Sequence, residues 1–171
     1  MASKSYQASE TARTWSDSGT SSDELLDMGG LAASGGIACG SYWDLGASPR
    51  ADTYEVELFI DGFDTAPVVG QIVECWITQS NATTGFDGQL TTDPGDATEG
   101  TATVAQAENC THACAVRVYS TTAGDELQKR QTVRLTGRYI APIVINRTED
   151  VLLSTSDAHM VTITPIPQEG Q

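Results

Sequence analysis

Between residues 54 and 60 the chain alternates. Tyr54, Val56, Leu58 and Ile60 share one side, while Glu55 and Glu57 point to the other. That period of two predicts a β-strand with one face in a core and one in water. Residues 72–78 continue in the same manner, with Val73, Cys75 and Ile77 opposite Ile72, Glu74 and Trp76. Further apolar runs predict strands over 37–43, 113–120, 132–136, 140–145 and 160–164. Asp61-Gly62, Ala66-Pro67 and Val69-Gly70 break the pattern between the first strands. Gly137 predicts a bulge or kink between the two strands that flank it, and Pro142 predicts an edge strand or a bend. No amphipathic run reaches helix length. Seven or eight short strands joined by polar turns predict an all-β, antiparallel β-sandwich of jelly-roll type.

The ends of this pattern differ from its middle. Residues 1–24 are polar and Ser-rich, with Tyr6 and Trp15 as the only large apolar groups. The stretch Asp23-Glu-Leu-Leu-Asp-Met28 could make one helical turn capped by Ser22 and stopped by Gly29 and Gly30. The expected organisation is a polar, extended N-terminal arm over 1–30 and a single β-sandwich domain over 31–171. Residues 80–100 form a long polar loop with turn signals at Asp87-Gly88 and Pro94-Gly95.

Composition supports strands over helices: Ser and Thr number 36 of 171 residues, and Lys is scarce. The formal net charge is −14. A chain so acidic is repelled by phosphate backbones, so no nucleic-acid partner is expected. The acids are unevenly spread. Residues 51–100 hold ten acids and no base, whereas 101–171 hold seven acids and six bases. Such a division suits solubility or electrostatic matching between neighbouring subunits. No apolar run is long enough to span a membrane, and the first residues lack the apolar stretch of a signal peptide. Synthesis and folding in a cytosol are therefore expected. Cys39, Cys75, Cys110 and Cys114 are then expected as free thiols, mostly buried. The glycosylation patterns at Asn81, Asn109 and Asn146 read as chance matches in a Thr-rich chain.

Candidate chemistry is sparse. His112 and His159 lie in no triad, zincin or nucleotide motif, and no Ser sits in a Gly-x-Ser-x-Gly elbow. No catalytic residue, metal or cofactor is expected. Cys110-Thr-His-Ala-Cys114 is the most suggestive cluster, because on a regular strand residues 110, 112 and 114 share a face and could converge on zinc. Small thiols beside a strand are the commoner meaning. Asp61, Asp64, Asp87, Asp93 and Asp96 could offer calcium its oxygen ligands, although solvated turn residues explain them as well. Tyr6, Trp15, Tyr42 and Trp43 are the candidate assembly contacts, while Trp76 sits mid-strand and reads as core.

Tyr54-Glu-Val-Glu-Leu-Phe-Ile60, Ala66-Pro-Val-Val-Gly-Gln-Ile-Val73 and Phe86-Asp-Gly88 resemble segments of jelly-roll structural proteins of tailed phages. So do Arg138-Tyr-Ile-Ala-Pro-Ile-Val-Ile-Asn146 and Ala158-His-Met-Val-Thr-Ile-Thr-Pro165. The resemblance spans about residues 53–167 and points to capsid decoration, or cement, proteins. It implies a virion structural protein that binds the major capsid protein on the outer capsid surface, commonly as a homotrimer, after synthesis in the host cytoplasm. It implies no catalytic residues. The cysteines have no counterpart in that family. A tail- or surface-associated carbohydrate-binding module, using exposed aromatics and acidic loops, is the alternative.

Overall fold

The computed structural model describes residues 11–17, 25–46, 51–88, 100–156 and 158–166. Its strands, in chain order, are β1 (Arg13–Ser16), β2 (Gly36–Ala38), β3 (Trp43–Asp44), β4 (Thr53–Ile60), β5 (Ile72–Ser80), β6 (Gly100–Thr101), β7 (Thr111–Arg117), β8 (Leu127–Arg134), β9 (Tyr139–Asn146) and β10 (Met160–Pro165). One helical turn, α1 (Val104–Ala107), precedes β7.

Two antiparallel sheets pack face to face. Sheet A has the order β1-β10-β4-β8, and sheet B has the order β6-β2-β9-β5-β7 with β3 also on β9. If the two shortest strands, β3 and β6, are set aside, eight strands remain. Counted along the chain they run 1-8-3-6 in one sheet and 2-7-4-5 in the other. This is the double Greek key of a jelly roll, so the expected fold class holds. The core lies between the sheets and includes Trp15, Tyr54, Val56, Leu58, Ile60, Val73, Ile77, Val144, Val161 and Ile163.

Trp15 departs from expectation. It was expected within the arm as a contact for another subunit, but β1 is the edge strand of sheet A, in register with β10 from Arg13↔Ile163 to Ser16↔Met160. Trp15 is fully buried and packs edge-on against Trp43 at 6.4 Å. A lone indole in a polar segment is better removed from water by docking than left exposed. Leu26 and Met28 are also fully buried, without a helix, and Leu25 bridges Ser16. The sandwich therefore begins before residue 31. Ser22 and Tyr6 lie outside the described residues.

Pro142 is the second departure. It lies in β9, a central strand, not at an edge or bend. Its carbonyl accepts the Cys39 N–H, so its nitrogen faces the same flank, where β2 has ended and β3 has yet to begin. The missing donor falls in that gap and costs no ladder bond. Gly137, expected as a bulge, lies instead in the passage from β8 in sheet A to β9 in sheet B. A Cβ there would come within 2.8 Å of the Gln79 Cβ, so the crossing needs glycine for close approach.

α1 was not anticipated. Thr103 caps it by accepting the Gln106 N–H, and Gln106 accepts the Thr103 N–H in return. This turn lies over the outer side of sheet B. Ala38, Ala102, Ala107, Ile143 and Ile145 form a second small core there. Among the described residues no helix is long and apolar enough to cross a membrane.

Candidate functional site

The strand order sorts the loops to two ends. One end carries residues 61–71, 118–126, 147–156 and 158–159. The other carries 39–46, 51–52, 81–88 and 135–138, together with the start of β1 and the finish of β10.

The second end holds an open polar cleft of about 350 Å³. Gln79, Ser80, Asn81, Gly85, Asp87, Thr136 and Gly137 line it. Register builds it: Ser80 at the end of β5 pairs with Tyr139 at the start of β9, bringing residues 79–81 against 136–138. The Gln79 carboxamide is committed to structure. Its oxygen accepts the Thr136 and Gly137 N–H groups at 2.9 and 3.0 Å, and its nitrogen donates to Thr111 Oγ1 at 2.7 Å. Asn81 Oδ1 accepts the Arg138 N–H at 3.3 Å. The Asp87 backbone carbonyl accepts from Thr78 Oγ1 at 2.7 Å, and Asp87 as a residue is exposed.

Aromatic rings adjoin the cleft. Tyr42 stacks on Phe86 at 5.9 Å and meets Tyr139 edge-on at 4.9 Å. Arg138 lies over Tyr139 at 4.9 Å and grips Asp44 with two bonds of 2.8 and 2.7 Å. The Asp44 carboxylate raises the Arg138 pKa further above its usual value. Of the three candidate contact residues among the described residues, Tyr42 alone is half-exposed. Trp43 is buried against Trp15 and Tyr54, because its strand position turns it inward.

The opposite end is a mesh of hydroxyls and carboxylates. Asp64 Oδ1 accepts from the Ser154 N–H and Oγ, Asp61 Oδ2 accepts from Ser156 Oγ at 2.6 Å, and Asp150 Oδ1 accepts from Thr65 Oγ1 at 2.6 Å. His159 is fully buried. Its Nδ1 accepts the Asp61 N–H at 3.1 Å, so its Nε2 donates to the Leu153 carbonyl at 3.1 Å. Burial lowers its pKa below 6.5 and favours this neutral tautomer. The residues resemble a triad in type only, because each side chain is spent on holding loops together. Val68, Val69 and Tyr119 are exposed at this end.

Asp61 and Asp64 thus lie at one end of the sandwich and Asp87 at the other, while Asp93 and Asp96 lie outside the described residues. Among the described residues no three His, Cys, Asp or Glu are grouped to hold a metal. The zinc geometry fails for a specific reason. Cys75 pairs with Cys114 but Trp76 pairs with His112, so Ala113 is an extra residue and β7 bulges. The bulge turns Cys114 into the core and leaves His112 outside, edge-on to Trp76 at 4.7 Å. Cys110 stops before the strand, against the carbonyls of Asp87 and Gln106. Its burial pushes its thiol up to about 11. All four cysteines are free. Asn146 is fully buried and its amide is occupied by Leu31, Ala32 and Asp150 carbonyls, so it cannot accept a glycan.

Sequence reasoning missed the cleft. Gln79-Ser-Asn81 at a strand end and Gly137 were visible signals, but the β5–β9 register that joins them was not. No family model, curated protein or solved structure matches this chain.

Proposed function

We propose that this chain is a non-catalytic structural protein of a tailed-phage particle, seated as a homotrimer on the outer surface of the capsid against the major capsid protein. The jelly-roll strand order carries this reading, since it is an architecture that viral shells use repeatedly. The residue resemblance in β4, β5, β9 and β10 supports it. So does the outer face of sheet A, which no described element covers and which carries both signs of charge: Arg130 bridges Glu57 at 3.1 Å and Glu55 at 3.9 Å. A flat, mixed-charge face suits packing among repeated subunits better than capture of a small molecule. The test is mass spectrometry of purified particles, with native mass of the isolated chain. Recovery in particles and a trimer mass are expected. Presence in the lysate with absence from particles sinks the proposal.

One observation favours a second reading, a carbohydrate-binding module. The polar cleft has Tyr42 beside it, a ring flanking hydrogen-bonding groups as sugars require. A glycan array separates the two. Binding that disappears in Asn81→Ala and Tyr42→Ala would replace the structural reading.

A further inference from the structure

We propose that Cys75 and Cys114 are a built-in dithiol that closes to a disulfide in oxidising surroundings and locks the edge strand β7 onto β5. Neither the resemblance nor the proposed function assigns these residues a role, and the inference does not depend on either.

Three observations place the pair. Cys75 and Cys114 are directly opposite in the β5–β7 register. The bulge at Ala113 brings Cys114 to the inner face beside Cys75, where a regular strand would have put it with His112. The two thiols are near enough to perturb each other's ionisation, and both are free. The remaining cysteines are elsewhere. Cys39 contacts the Leu25 carbonyl and Ser41, and Cys110 contacts Asp87 and Gln106.

The two thiols are not equivalent. The neighbouring Cys114 thiol, then burial, raises Cys75 well above its usual value. The Cys75 neighbour lowers Cys114, helped by a Leu58 backbone group and Lys129 against the opposing effect of burial. Cys114, carried on the edge strand β7, is the thiol that reaches reagent first, and it reacts as its thiolate. It attacks a small-molecule disulfide such as oxidised glutathione, forming a mixed disulfide and expelling one small thiolate. Cys75 then gives up its proton and attacks the Cys114 sulfur, expelling the second small thiolate. The protein loses two protons and two electrons, and the oxidant leaves as two thiols. Both sulfurs are closed off in the folded chain, so reagent enters when β7 lifts. Among the described residues β7 lies at the edge of sheet B and pairs only with β5, and such strands open ahead of a sheet's centre. In a reducing cytosol the pair stays open. Outside it, the pair closes.

The full chain, reduced and then titrated with oxidised glutathione, tests this by peptide mapping after alkylation. The expected product is a Cys75–Cys114 linked peptide, absent from Cys75→Ala and Cys114→Ala and retained in the Cys39→Ala/Cys110→Ala background. That background keeps the test independent of any folding defect in the pair variants. The linked form should melt about 5 °C or more above the reduced form. Two thiols that stay reduced even in mild urea, where edge strands open, would overturn the proposal. So would a link through Cys39 or Cys110, or a linked form that melts lower.

Discussion

The two sheets of this sandwich solve opposite problems. In sheet A, β4 and β10 alternate half-buried and buried residues along their whole length, because one side meets the core and the other meets water. In sheet B, all eight residues of β9 are buried. Its inner side faces sheet A. Its outer side lies beneath α1 and the residues that lead into it, with Ile143 and Ile145 against Ala102 and Ala107. Arg147 ties this cover to the sheet, reaching Glu74 of β5 and Glu108 just after α1. Half-buried sheets write their orientation into the period of their residues, whereas a doubly covered sheet writes only that it is apolar.

The sharpest test of this difference is truncation on the two outer faces. Ile145→Ala removes a buried side chain beneath the α1 cover and should cost about 2–5 kcal/mol in urea unfolding. A cost within about 0.5 kcal/mol, as at surface sites, would mean that the cover does not seal sheet B. Gly36→Ala probes the same seam by addition. A Cβ at Gly36 would lie 2.4 Å from both the Ala102 carbonyl oxygen and Ile145 Cδ1, so the variant should lose about 1–3 kcal/mol by the same measurement.

Acid should act on the other sheet. The His159 pKa is lowered in the folded chain, so unfolding takes up a proton as pH falls below the ordinary value of 6.5. The stability it contributes is complete above that value and declines until the folded pKa is passed. Asp61 and Asp27 face the ring and partly offset the effect of burial. Protonation at Nδ1 would set a donor against the Asp61 N–H, between the end of β4 and the start of β10. Hydrogen exchange between pH 7.5 and 5 should therefore quicken first at residues 153–161, before 140–145, and His159→Gln should flatten the dependence. The smallest effect is reserved for Thr162→Ala, on the outer face of β10. It loses one hydroxyl contact with Thr14 Oγ1 and should change stability by no more than about 0.5 kcal/mol.

Much of the fold was legible for the reason the sheets differ. Residues 54–60 and 160–164 announced their strands and faces, since Glu55, Glu57, Thr162 and Thr164 mark the wet side. Residues 140–145 announced a strand but not its place. Pro142 argued for an edge, and only the pairing shows that its nitrogen falls in a gap between two partners. The Cys110–Cys114 cluster misled through the same period that succeeded elsewhere, because a one-residue bulge reverses every face beyond it. Trp15 was hidden by its neighbours: a four-residue strand in a polar segment has too few positions to show a period. The cleft depends on register between segments far apart in the chain, which local pattern does not encode.

The alignment of β1 with β10 has a practical outcome for anyone extending this chain. Because Arg13 and Ile163 are cross-strand neighbours, the start of β1 and the finish of β10 meet at a single rim, the one bearing Tyr42 and Asn81. Tags or fusion partners joined through either strand would leave from beside that rim and crowd whatever docks there. Inserts placed at Val68-Val69 or Tyr119 would project from the far pole and leave it clear.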